Sequence, residues 1–140
     1  MANIETFKLS ELAQNIGVSI QELLISCIHC NRWLTVNDKI LFEYCHLRLF
    51  WKEGLAYACC PPCIRIAARV DFLRDFQRTV HYTNFAEVCS YPWEEVPVRC
   101  LACYRLLNGP EKNEIKENDM VIYCVKGGFR ALCVLCRIGI

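Results

Sequence analysis

Four Cys-x-x-Cys pairs, at a spacing that repeats, constrain what this chain can fold into. They are CIHC (Cys27, Cys30), CPPC (Cys60, Cys63), CLAC (Cys100, Cys103) and CVLC (Cys133, Cys136). Twenty-nine residues separate Cys30 from Cys60, and twenty-nine separate Cys103 from Cys133. Thirty-six lie between the two halves, so the second half repeats the first at an offset of 73 without a gap. The register extends past the cysteines: Ala13 falls on Ala86, Glu22 on Glu95, Arg32 on Arg105, Leu34 on Leu107, Gly54 on Gly127 and Ala58 on Ala131. The sequence reads as a tandem duplication of roughly residues 10–66 and 83–139.

Two thiols at this spacing occupy one turn and point at one ion. Two such turns close a tetrahedral shell of four thiolates, the donor set that suits zinc. A redox dithiol needs a single pair with a lowered pKa, which leaves four pairs at repeated spacing unexplained. CPPC is therefore expected to be half of a metal site. A duplicated unit should close its own site, so Cys27, Cys30, Cys60 and Cys63 are expected to hold one zinc, and Cys100, Cys103, Cys133 and Cys136 a second. The alternative is the interleaved pairing of RING domains, first with third and second with fourth. A closed shell has no position for water or substrate, so the two Zn²⁺ are expected to be structural and the chain not an enzyme. Metal binding supplies about 10–16 kcal/mol in zinc-finger peptides, and units of this size have marginal cores without such help.

Composition sets the remaining bounds. A chain of 140 residues makes one domain or two small ones. Hydrophobic residues make up 54% and aromatics 11%, more than so small a body hides, so an exposed binding surface is expected. No apolar run is long enough for a membrane span, and the start has no secretory pattern. Twelve cysteines without a leader point to a reducing compartment. Cys45, Cys59, Cys89 and Cys124, outside the four pairs, read as small buried hydrophobes. Eight thiolates and two Zn²⁺ carry the formal net charge of +1 to about −3, which disfavours direct nucleic-acid binding.

The expected fold class is α+β, a tandem repeat of two small zinc domains, each of short helices and a small antiparallel sheet. Residues 1–63 form the first, 64–82 a linker helix and 83–140 the second. Residues 10–26 read as two short helices, the first capped by Ser10 and the second by a Ser19–Glu22 box, with Gly17 in the turn. The stretch 32–52 reads as strands with a turn at Asn37-Asp38, and Leu47, Leu49 and Trp51 alternate with polar or outward neighbours up to Gly54. Gly127-Gly128 reads as a turn. A helix from Ile64 to about Thr79 carries one apolar stripe of Ile66, Val70 and Leu73, a second of Phe72 and Phe76, and arginines between them.

Two copies of C-x₂-C-x₂₉-C-x₂-C with an adjoining ACCPPC resemble the papillomavirus early protein six family of zinc-binding viral oncoproteins, over nearly the whole chain. The resemblance implies an adaptor in which two zinc domains and a linker helix grip acidic LxxLL helices of host proteins. The implied partners are Mastermind-like coactivators of Notch signalling and the E6-associated HECT ubiquitin ligase. The implied setting is the host nucleus and cytoplasm, and the implied outcome is blocked differentiation and apoptosis. Positions matching the family's peptide pocket are Leu47, Lys52, Cys59, Ile64, Val70 and Arg99. His29 and Ala67 stand where ligase-recruiting members often have tyrosines. Gly128 replaces a basic residue, and Arg130 is its substitute. Ile138 stands where a class I PDZ ligand needs Ser or Thr, so no such partner is expected. These departures resemble a cutaneous-type member, with the Mastermind-like partner first. A RING-type ubiquitin ligase and a direct DNA-binding regulator are the competing readings.

Overall fold

The computed structural model describes residues 6–138. Residues 1–5, where a leader would begin, and 139–140, which complete the C-terminal sequence considered for PDZ binding, lie outside them. The chain divides into two compact units between Ile64 and Arg65.

In the first unit, helix α1 (Leu9–Ile16) ends at Gly17, whose φ of 89° places it in the left-handed region that a glycine enters without a Cβ penalty. Lys8, not Ser10, is at its N-cap, and no side chain caps it. The expected second helix is a single turn. Ser19 and Glu22 form their reciprocal bonds, Ser19 N to Glu22 Oε1 at 3.2 Å and Glu22 N to Ser19 Oγ at 3.2 Å, but Leu24 and Ile25 leave the turn for extended chain. Helix α2 (Val36–Tyr44) occupies the place expected to turn at Asn37-Asp38. Its start is a capping box: Thr35 Oγ1 accepts the Asp38 N–H, and Asp38 Oδ2 accepts the Thr35 N–H. The hairpin β1 (Phe50–Lys52) and β2 (Leu55–Tyr57) follows. The alternation expected around it holds: Leu49 is buried and Leu47 and Trp51 are half-buried, while His46, Arg48, Phe50 and Lys52 are exposed. Leu9, Ala13, Leu23, Ile25, Leu34, Phe42 and Leu49 form the core with Cys27, Cys59 and Cys60.

Helix α3 runs from Pro61 to Asp75, so it begins inside the CPPC motif and stops short of the expected end. Phe76–His81 is strand β3, antiparallel to β5 (Val121–Val125), with an irregularity between Phe76 and Arg78. The Phe72/Phe76 spacing suggested continued helix. Both rings instead meet Tyr123, with centroids 5.8 and 6.4 Å away, one from the helix and one from the strand. Pairing with β5 overrides the local helical pattern.

The second unit continues with 3₁₀ turns at Tyr82–Glu87 and Trp93–Glu95, broken by Pro92. Then come β4 (Val98–Cys100), α4 (Gly109–Glu117), β5, β6 (Gly128–Ala131) and the short α5 (Val134–Arg137). The sheet order is β3-β5-β6-β4, with β4 parallel to β6 and the other pairs antiparallel. Gly127, at φ 85°, makes the β5–β6 turn. Phe85, Trp93, Val96, Val98, Leu107, Ile115 and Ile122 fill the core, where Phe85 meets both Trp93 and Phe129 edge-on at 5.0 Å.

The duplication is structural as well as sequential. Helix α4 lies 73 positions after α2 at both ends, and its Asn108–Glu111 box repeats Thr35–Asp38. Buried Lys39 donates to the carbonyls of Gln21 and Leu23, and Lys112 donates to that of Val96, the equivalent of Leu23. Both units are thus mixed helix and sheet, each bearing its own pairs of cysteines.

Candidate metal centres and apolar groove

Each half brings its own two pairs together. The sulfurs of Cys27, Cys30, Cys60 and Cys63 all lie within 4.8 Å of one another, and so do those of Cys100, Cys103, Cys133 and Cys136. First joins second and third joins fourth, which is not the interleaved arrangement of a RING. None of these eight cysteines is in a disulfide.

The local fold explains the convergence. The Cys27 N–H donates to Arg32 O at 2.9 Å and the Ile28 N–H to Ala58 O at 2.9 Å, which sets the first pair beside the chain entering the second. Cys100 N to Arg105 O at 2.8 Å and Leu101 N to Ala131 O at 3.2 Å repeat this in the second unit. The second pair of each site sits at a helix start, α3 or α5. Backbone N–H groups aim at the innermost sulfurs: His29 N and Cys60 N reach Cys27 Sγ at 3.4 and 3.5 Å, and Ala102 N and Cys133 N reach Cys100 Sγ at 3.3 and 3.4 Å.

The electrostatics favour a cation. Burial opposes ionisation of Cys27, but N–H donors from Cys60, Cys30 and His29 outweigh it and hold the thiol down to about 6. In the second cluster the Cys103 thiol, with the Cys133 and Ala102 N–H groups, holds Cys100 down to about 4 against burial. Three others move up: Cys63 through a hydrogen bond with the Cys60 sulfur and through burial, Cys103 through a hydrogen bond with the Cys100 sulfur and through burial, and Cys136 through burial and the nearby sulfurs to about 11. One thiolate in each cluster therefore resists a second, and a cation at the centre removes that resistance. Four thiolate sulfurs per site fit a soft or borderline divalent ion.

Outside the ligands, Arg105 and Glu111 form a buried ion pair, each side chain 6% exposed. Glu111 Oε2 also accepts the Val134 N–H at 2.7 Å, and Oε1 accepts that of Asn108 at 3.0 Å. Burial alone would raise the Glu111 carboxyl, but these N–H groups and Arg105 hold it below the ordinary carboxylate range. Sequence reading matched Arg32 to Arg105 and missed their carboxylate partners. The signal available was the acidic residue at the third position of each helix after an N-capping Thr or Asn.

The seven positions singled out for peptide binding fall in different surroundings. Leu47, Cys59 and Ile64 pack against the first core, with Cys59 2% exposed. Burial and the Cys27 sulfur push the Cys59 thiol up to about 12, as expected of a hydrophobic filler. Lys52 is exposed at the end of β1. In the second unit Arg99 and Arg130 face each other across β4 and β6, and Val70 is exposed on α3. Arg99 Nη1 donates to Tyr104 O at 2.8 Å, and Arg130 lies over the Tyr104 ring at 5.2 Å. His29 is exposed, edge-on to Phe50, and outside the first cluster.

The second unit also has an open groove of about 610 Å³ between α3 and the sheet side, lined by Arg65, Ile66, Arg69, Phe72, Leu73, Leu101, Ala102 and Tyr123. Its walls are mostly apolar, and exposed Arg65 and Arg69, one helical turn apart on α3, also line it. Of the α3 residues flagged by their two apolar stripes, Ile66, Phe72 and Leu73 line this groove.

Comparison with known proteins places these features. A family model described as Early Protein (E6) matches residues 27–136, the span from the first ligand cysteine to the last. Protein E6 of Human papillomavirus 65 is 30% identical over 136 residues, covering 97% of each chain. Protein E6 of Human papillomavirus type 1 is 27% identical over 128 residues, covering 91% of each. That of Human papillomavirus 4 is 28% identical, again over 97% of each.

Proposed function

Because the chain belongs to the Early Protein (E6) family of viral proteins, we propose that it is an adaptor that binds acidic LxxLL helices of host proteins. The groove carries this reading. An LxxLL helix presents leucines at i, i+3 and i+4 and needs an apolar trough. The walls of Ile66, Phe72, Leu73, Leu101 and Tyr123 offer one, and Arg65 and Arg69 stand where acidic flanks would be steered and oriented. We assign a Mastermind-like coactivator as the preferred partner and the E6-associated HECT ubiquitin ligase as the second, acting in the host nucleus and cytoplasm. The departures at His29, Ala67 and Gly128 favour that order and a cutaneous-type member.

We assign zinc to both centres. Bonds of about 2.3 Å in a tetrahedron give sulfur–sulfur edges of about 3.8 Å. Cys30 Sγ to Cys60 Sγ is 3.8 Å and Cys103 Sγ to Cys133 Sγ is 3.9 Å, in keeping with that edge. When bound, zinc supplies folding energy and no reactive position, so on this reading the chain works by binding and not by catalysis.

Fluorescence anisotropy of labelled acidic LxxLL peptides against the zinc-loaded chain tests the reading. Binding is expected, with Arg69→Glu weakening it about tenfold by reversing a groove charge. Absence of binding to every LxxLL peptide rejects it.

A further inference from the structure

The two metal centres share an outer layer built from the same positions. Arg32 and Arg105 each lie two residues beyond the first pair of their half. The carbonyl of each accepts the N–H of that pair's first cysteine, and the guanidinium of each meets the acidic residue at the third position of the following helix. In the first half Arg32 Nη2 is 3.2 Å from Asp38 Oδ2. In the second, Arg105 pairs with Glu111, which also holds the backbone N–H next to ligand Cys133.

Four thiolates around a divalent cation leave two net negative charges in a partly buried site. A guanidinium held two residues past each first pair offsets part of that charge, and hydrogen-bonded outer residues of this kind tune metal retention. The two halves differ in enclosure. The Arg32 and Asp38 side chains are 47% and 15% exposed, whereas Arg105 and Glu111 are both 6% exposed. Cys30 is exposed, whereas its counterpart Cys103 is not. The buried Nε of Arg105 makes no hydrogen bond. Water and salt screen the first pair and are kept from the second.

We propose that Arg32 and Arg105 are the charge-balancing positioning residues of the two centres, and that their unequal burial makes the N-terminal centre release its metal first. The inference rests on the zinc assignment above and concerns kinetics, which stoichiometry does not reveal.

The test is timed release from the full zinc-loaded chain. Native mass spectrometry first establishes two bound ions. EDTA is then added with N-ethylmaleimide, and the newly alkylated cysteines are located by peptide mass. Cys27, Cys30, Cys60 and Cys63 are expected to react about tenfold sooner than Cys100, Cys103, Cys133 and Cys136, within the range seen for outer-layer effects. Added salt is expected to speed release from the first set and leave the second unchanged. Arg105→Met should accelerate the second set about tenfold, Arg105→Lys should restore part of the delay, and Arg32→Met should affect only the first set, by less. Two ions released together, or the C-terminal ion first, overturns the inference and leaves the zinc assignment standing. Fewer than two ions at the outset overturns both. The order and salt dependence in the unmutated chain decide the matter even if Arg105→Met fails to fold.

Discussion

Asn31 and Tyr104 adopt left-handed backbone, at φ 61° and 64°, one residue past the first pair of each half. Their N–H groups donate back to Cys27 O at 3.0 Å and Cys100 O at 3.1 Å, which curls each pair so that both sulfurs face one point. Asparagine tolerates this conformation; for tyrosine it costs on the order of 1 kcal/mol. The hydroxyl bond to Asp71 and the stacked Arg130 hold Tyr104 there. Glu111 joins the ion pair to the second cluster, since its carboxylate meets Arg105 and accepts the N–H of Val134, next to Cys133. Glu111→Gln takes the carboxylate from the buried pair and leaves Arg105 only the thiolate centre as counter-charge, so denaturant unfolding of the metal-loaded chain should show a loss of about 2 kcal/mol. The Glu111 carboxyl is held below its ordinary 4.5. Its contribution is therefore complete above that value and is lost as pH falls through the depressed one, so the gap between variant and wild type should narrow in acid. At this scale the two groups of four converging cysteines were legible, because their spacing repeats. Glu111 was not, since its role depends on Val134 and Arg105 reaching it through the fold.

The helices that follow each first pair are started by side chains. Thr35 and Asn108 each accept the N–H three residues on, and Asp38 and Glu111 return the bond. Thr35→Ala and Asn108→Ala should each cost about 1 kcal/mol in denaturant unfolding, with Asn108→Ala the larger because its partner Glu111 also serves the ion pair. Elements were less legible than ligands for a physical reason. Ile40, Leu41 and Tyr44 are exposed at 51%, 43% and 60%, so α2 lacks a clean apolar face. Its β-prone side chains read as strand, although Thr35-x-x-Asp38 announced a helix start. The end of α3 was hidden in the same way, because Phe76 serves a strand at a spacing that suits a helix. Alternation of Leu47, Leu49 and Trp51 was readable because one face of that segment is buried on the core and the other is not.

As a molecule, the chain is one small design used twice, and neither half has a large core of its own. Metal removal should therefore unfold both: far-UV circular dichroism after chelation is expected to lose its helical signal, and readdition of zinc to restore it. Duplication was legible at this scale because the offset of 73 is carried by identical residues, Arg32/Arg105 and Gly54/Gly127 among them, as well as by cysteines. The groove was only half legible, since its α3 wall draws Ile66 and Leu73 from one apolar stripe and Phe72 from the other, and its second wall comes from Leu101, Ala102 and Tyr123, distant in sequence. The claim beneath the whole account is that each half encloses its own ion. Native mass spectrometry of the zinc-loaded chain and of two double variants tests this most directly. Two Zn²⁺ are expected in the wild type and one each in Cys60→Ser/Cys63→Ser and Cys133→Ser/Cys136→Ser. Any other wild-type count, or loss of both ions in either double variant, would contradict it.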